Sequence, residues 1–317
     1  MKSIAITATL AFILSACGGG GGSPGTSSTP ETTPPSTALA SLTAKPLADN
    51  KVRLTLSGVG AQASRYCIKQ DATQPSDNDP CFSDGDSTAL VQEKTIATPS
   101  NTQRVVFTAW VRSGTTVSRH ASVSAPGKTC SAAALAALPA NSTLPAVCII
   151  TGSGESVLLL EKVKAPITVA NFLRYVNQGF YDQTVFHRFW KGSLNFVQGG
   201  DFTYDANQIG DDRYVDKAST LSPIVLESTI NSNLTNTAGT IAMARTSAPD
   251  SATAGFFVNT AANAGFNSTN TRDGYAVFGS ITHGVASWTA LLDSVASTGE
   301  VTKPSTPVHL HWAYQIQ

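Results

Sequence analysis

A chain of 317 residues is long enough for two domains, and with 41% apolar and only 13% charged residues it can bury at least one sizeable core. Its 21 basic and 21 acidic side chains cancel, so no basic excess stands ready to displace the counterions of a phosphate backbone, and a nucleic-acid partner is not expected.

The chain opens on MKSIAITATLAFILSAC, with Lys2 as a basic start, an apolar run from Ile4 to Leu14 and small residues before Cys17. The run is too short to span a bilayer and reads as a cleaved export signal over residues 1–17. Leu14, Ser15, Ala16 and Cys17 resemble the lipobox of bacterial lipoproteins, which implies a lipid on Cys17 and attachment to a membrane. Gly18 stands where an aspartate commonly retains such proteins in the inner membrane, so in a Gram-negative cell the resemblance implies the outer membrane, facing the periplasm. Residues 18–37, GGGGGSPGTSSTPETTPPST, are almost free of apolar side chains and cannot offset ordering entropy by burial; they read as a tether.

Residues 38–127 carry the pattern of short strands. KVRLTLS sets Val52, Leu54 and Leu56 on one face at period two, and RVVFTAWVRSGTTVSRHASVSA reads as two strands joined through Ser113 and Gly114. A small β-sandwich is expected, its last hairpin resembling the terminal strands of fibronectin type III or immunoglobulin-like modules. Beyond Cys17 the chain has Cys67, Cys81, Cys130 and Cys148, an even number suited to two disulfides in an oxidising compartment. Three connectivities are open, of which the sequential one is favoured. The connector, residues 128–145, carries an Ala- and Leu-rich stretch that reads as a short helix ending before Pro139.

The second domain, residues 146–317, begins with AVCIITGS, a turn through Gly154, and SVLLLEKV. Behind Pro166, a residue suited to a helix start, Val169, Phe172, Leu173 and Val176 fall at i, i+3, i+4 and i+7. Val285, Trp288, Leu292 and Val295 mark a second amphipathic helix, and the strand-like segments TVFHRFW, NFVQGGDF, TIAMART, GFFVNT, YAVFGSI and HLHWAYQI surround the two. The expected fold class is mainly β, with a closed antiparallel barrel capped by two helices behind the sandwich.

The order of these segments resembles the cyclophilin-type peptidyl-prolyl isomerases, over about Val147 to Ile316. KAPITVANFLRYVNQGFYDQTVFHR is similar to that family's first helix and catalytic strand. VQGGDF, NTAGTIAMARTSAPDSATAGFFVNTA and GYAVFGSITHG follow in the family's order, with bacterial periplasmic members the most alike. The resemblance implies a prolyl isomerase that needs no cofactor and acts on proline-containing polypeptides, here exported or unfolded envelope proteins. It implies that Arg188 is the catalytic donor at the prolyl amide, that Gln198 binds a neighbouring carbonyl, and that Phe257 floors the proline pocket. Met243 and Ala244 would wall the pocket, Arg245 would pair with the substrate through its backbone, and Phe196, Phe266 and Tyr275 would complete it. His187 is expected to face away from Arg188 by strand alternation and to serve as a packed structural histidine.

Three departures from the family pattern stand out. Nine residues separate Arg188 from Gln198 where the family usually has seven, so KGSLN is expected to bulge, placing Asn195 and Phe196 at two apolar pocket positions with Leu194 able to replace the first. Gly255 stands where many relatives have glutamine. Gly265 and Phe266 stand where relatives have an aromatic and then leucine, which implies weak cyclosporin binding because sensitive members use an indole there. A rival reading makes the chain a weakly catalytic binding protein on the same scaffold. His309 and His311 alternate on one strand, but with no third ligand nearby no metal is expected.

Overall fold

The computed structural model describes residues 41–317 apart from 59–64 and 85–88, so the export signal, Cys17 and the tether lie outside the described residues. Strands β1 (Ser41–Pro46), β2 (Lys51–Ser57), β3 (Arg65–Gln70), β4 (Ser83–Asp84), β5 (Ala89–Thr95), β6 (Val105–Ser113) and β7 (Thr116–Ala125) make two antiparallel sheets, β1-β2-β5 and β4-β3-β6-β7. The alternation in KVRLTLS has its expected effect: Val52, Leu54 and Leu56 are buried and share a core with Tyr66, Ile68 and Phe107 of the facing sheet. Cys67 is bonded to Cys81 and Cys130 to Cys148, with Cα atoms 5.2 and 6.2 Å apart.

In the connector, helix α1 (Ala132–Leu135) is capped by Ser131, whose hydroxyl accepts from the Ala134 amide. The disulfide at Cys130 ties this connector to the first barrel strand, and the Cys130 amide donates to the Tyr314 hydroxyl at 2.5 Å. Further polar contacts fix the sandwich to the barrel: the Trp312 indole donates to the Ser100 carbonyl at 3.1 Å, Gln183 to the Asn101 carbonyl at 2.7 Å, and Arg104 pairs with Asp182.

The remaining strands are β8 (Ala146–Thr151), β9 (Gly154–Leu160), β10 (Thr184–Lys191), β11 (Asn195–Tyr204), β12 (Tyr214–Asp216), β13 (Thr240–Met243), β14 (Phe256–Asn259), β15 (Val277–His283), β16 (Gly299–Thr302) and β17 (Val308–Gln315). Eight of them close a ring in the order β11-β14-β13-β15-β9-β8-β17-β10, with β10 pairing back to β11; β12 and β16 are added ribs on β11 and β10. The sandwich is joined at β8 and β17, across the ring from β13 and β14.

Helix α2 (Pro166–Asn177) starts at its proline and turns Val169, Phe172, Tyr175 and Val176 into the barrel core. It has no local side-chain cap; the Glu227 carboxylate, 60 and 59 residues away in sequence, accepts from the amides of Ile167 and Thr168 at 3.0 and 2.8 Å. A short helix α3 (Thr229–Ser232) follows that segment. Helix α4 (Val285–Val295) buries Trp288, Leu291 and Leu292, whereas Val285 at its first position is 40% exposed, against the sequence expectation for that residue.

Candidate active site

Two neighbouring strands carry the polar side chains that the sequence singled out. β10 and β11 pair with Arg188 opposite Gln198, and the ladder is broken between Phe186 and Arg188 so that His187 is an extra, bulged residue. Phe186 and Phe189 point into the core, leaving His187 and Arg188 as two consecutive outward residues. Strict alternation would have turned His187 away; instead both side chains reach Gln198. Arg188 Nη1 donates to Gln198 Oε1 at 3.4 Å, and Gln198 Nε2 lies 3.4 Å from His187 Nε2. With its oxygen facing the guanidinium, the amide offers its NH₂ to the histidine, so His187 Nε2 accepts and its proton is on Nδ1. Burial, then the charges of Arg188 and Lys303, depress this histidine from 6.5 to about 4, and it is neutral near pH 7.

The KGSLN segment does not bulge. β10 and β11 continue through the rungs Trp190 to Phe196 and Lys191 to Asn195, and residues 192–194 close the hairpin. Gly192 has φ 144, open to glycine and strained for other residues, and the Asn195 side chain clamps the turn through the Gly192 amide and carbonyl at 3.3 and 3.1 Å. Asn195 is therefore a turn residue and not a pocket residue. Directly after Gln198, Gly199 is needed for close packing: a Cβ there would lie 2.6 Å from the Phe186 ring.

Beside Arg188 and Gln198 an aromatic floor assembles from three separate segments. Phe257 of β14 packs on Phe196 of β11, on Phe266 and on Tyr275, with ring centroids 5.7, 5.3 and 5.5 Å apart. Phe196 and Phe257 are 2% and 3% exposed, and the Arg188 guanidinium lies 5.3 Å above the Phe196 ring. Ala244 and Arg245 close the same small hollow of about 40 Å³. Larger hollows exist, about 690 Å³ beside α2 and about 350 Å³ between sandwich and barrel, but neither joins fixed donors to an aromatic floor.

Met243 is the exception among the sequence candidates. It is 1% exposed and belongs to the main barrel core, because it alternates with Ala242, which faces the aromatic cluster. The Arg245 side chain is occupied within the chain: Nε and Nη2 donate to the Gly274 carbonyl at 3.0 and 2.6 Å, and the guanidinium stacks 4.7 Å from the Tyr275 ring. Its backbone amide and carbonyl take no partner among the described residues, leaving an edge that an extended peptide can join.

The other departures are filled locally. A Cβ on Gly255 would collide with the Asp201 carboxylate, so this carboxylate occupies the direction a side chain at 255 would take. Burial, and then the charge of Asp216, raise Asp201 to about 6. Leu194 packs against the aromatic cluster, its Cδ2 4.0 Å from where a Gly265 Cβ would sit. His309 and His311 stack with centroids 5.6 Å apart; among the described residues the only three-ligand group is Cys67, Asp79 and Cys81, whose cysteines are bonded to each other.

Two features escaped the sequence. Glu300 of β16 accepts from Arg188 Nε at 2.5 Å, a contact 112 residues long in sequence that only the extra rib creates. Asn236, Asn259 and Asn263 form a buried amide network, Asn259 Nδ2 to Asn236 Oδ1 at 3.1 Å and Asn263 Nδ2 to Asn259 Oδ1 at 2.7 Å, which braces the loop carrying Phe266 and Tyr275. The recurrence of asparagine between 231 and 270 was the available signal.

An apolar floor under a fixed, charged donor is what rotation about an Xaa-Pro amide requires. The floor holds the ring, and the donor favours the twisted state in which the amide nitrogen regains its lone pair. Comparison with known proteins agrees. The family described as cyclophilin type peptidyl-prolyl cis-trans isomerase/CLD matches residues 146–313. Peptidyl-prolyl cis-trans isomerase A of Dickeya dadantii is 42% identical over 146 residues, 46% of this chain and 70% of that protein. The cyp18 isomerase of Streptomyces antibioticus is 45% identical over 137 residues, covering 42% and 75%, and isomerase B of Escherichia coli 41% over 138 residues, covering 43% and 76%. The chain belongs to the cyclophilin-type peptidyl-prolyl cis-trans isomerases.

Proposed function

We propose that this isomerase acts on Xaa-Pro bonds of exported or unfolded proteins at the cell envelope, as a folding catalyst, with Arg188 as its catalytic donor. The single observation that carries the residue assignment is the guanidinium held between Gln198 and the Phe196 ring, at the rim of a floor completed by Phe257. In this reading Gln198 binds a substrate carbonyl and the free backbone edge at Arg245 pairs with the chain around the proline. Loss of one preorganised donor costs about 3–4 kcal/mol, a hundred- to a thousandfold in rate. A protease-coupled assay on a short Xaa-Pro peptide should therefore lose at least about a hundredfold in kcat/KM in Arg188→Ala. Equal rates would remove the assignment and favour the binding-scaffold reading.

The envelope placement rests on the lipobox-like LSAC at residues 14–17 and the tether behind it. The lipid on Cys17 would hold the protein to the outer membrane while the tether sets the barrel away from the surface. Fractionation of cells expressing the full chain and Cys17→Ser is the test: the variant should leave the membrane fraction, and unchanged membrane association would refute the anchor.

A further inference from the structure

Arg188 ends a long, rotamer-rich stem that is 39% exposed, so nothing in the barrel core fixes its guanidinium. Three contacts do. Gln198 Oε1 takes an Nη1 hydrogen, Phe196 lies under the plane, and the Glu300 carboxylate takes the Nε hydrogen at 2.5 Å. Glu300 does not come from a loop. It sits in β16, ladder-paired to β10 with Trp190 opposite Glu300 and Arg188 opposite Thr302, so carboxylate and guanidinium are delivered by rungs two apart in one sheet. The neighbouring lysine does not compete, because Lys191 pairs with Asp293 at 2.7 Å.

We infer that Glu300 is a positioning residue for Arg188, turning the guanidinium so that its Nη2 edge, which has no partner among the described residues, is presented to the prolyl amide. The inference rests on the assignment of Arg188 as the catalytic donor. An ion pair this exposed, with side chains 39% and 34% accessible, adds little to stability, so its value lies in orientation. A fixed fork aimed at the reacting amide acts without first losing its own rotational freedom, which is the advantage of a preorganised donor. Because the acceptor and not the charge does the orienting, a neutral acceptor of the same shape should serve almost as well.

The test is a double-mutant cycle on the full chain, with prolyl isomerisation read by protease coupling and, for slow variants, by NMR exchange. Glu300→Ala should lower kcat/KM about tenfold, chiefly through kcat. Glu300→Gln, whose Oε1 still accepts from Nε, should recover most of that loss. In an Arg188→Ala background Glu300→Ala should cost nothing further. The inference is overturned if Glu300→Ala stays within about twofold of the parent, if Glu300→Gln is as impaired as the alanine variant, or if the loss persists without Arg188. Loss in Arg188→Ala with none in Glu300→Ala removes only the role of Glu300; full activity in Arg188→Ala removes the catalytic assignment together with it.

Discussion

Replacing His187 by phenylalanine isolates an acid-sensitive element within β10, next to Arg188. The ring is packed on Phe202, centroids 4.4 Å apart, with Nδ1 buried and unpaired, and burial plus the charges of Arg188 and Lys303 move it from 6.5 to about 4. The unfolded chain thus takes up a proton below pH 6.5 that the folded chain refuses until about pH 4. Stability tied to the neutral ring is complete above pH 6.5 and is lost as pH falls through that window. A shift of this size corresponds to about 3 kcal/mol by pH 4, or about 1.4 kcal/mol per pH unit on the steep part. Phenylalanine keeps the face against Phe202 and has nothing to protonate. Urea unfolding of parent and His187→Phe, followed by circular dichroism from pH 7.5 to 4, should give a difference that is flat above pH 6.5 and grows in favour of the variant below it. A pH-independent difference would refute the reasoning, because the histidine would then titrate alike in both states.

Asp201 titrates in the opposite sense. Raised from 3.8 to about 6, it costs the fold about 3 kcal/mol once ionised, so Asp201→Asn should stabilise the protein above pH 6 and lose that advantage below pH 4; a gain that persists at acid pH would contradict it. Inhibition by cyclosporin should be weak, because position 265 is a glycine whose nearest cover is Leu194 and offers no indole; a nanomolar inhibition constant in the isomerase assay would contradict this.

The architecture was legible where burial imposes a period. Val52, Leu54 and Leu56 alternate because one sheet face is dry, and Val169, Phe172 and Val176 recur because one helical stripe faces the barrel. Strand β10 was legible as a motif, yet its geometry was not, because a bulge at His187 breaks the period that the reading of that residue relied on. Met243 was misplaced for a related reason: resemblance gives a neighbourhood, whereas the side of the strand is set by register, and register gives the cleft to Ala242 and Ala244. Glu300 was invisible because a glutamate in a polar stretch carries no local sign of a partner 112 residues earlier.

The nine-residue spacing between Arg188 and Gln198 leaves their pairing intact. An antiparallel hairpin can absorb an even insertion by adding one rung, a residue from each strand, and every pair outside the new rung keeps its partner and its face. An odd insertion cannot do so without a bulge. With nine residues between Arg188 and Gln198, the ladder runs through three rungs and a three-residue turn, and Arg188 still faces Gln198. On its other edge β10 pairs with β16 from Arg188 to Lys191, with Trp190 opposite Glu300. The longer hairpin thus leaves Arg188 facing Gln198, while β16, paired along the other edge of β10, brings the Glu300 carboxylate to the same guanidinium.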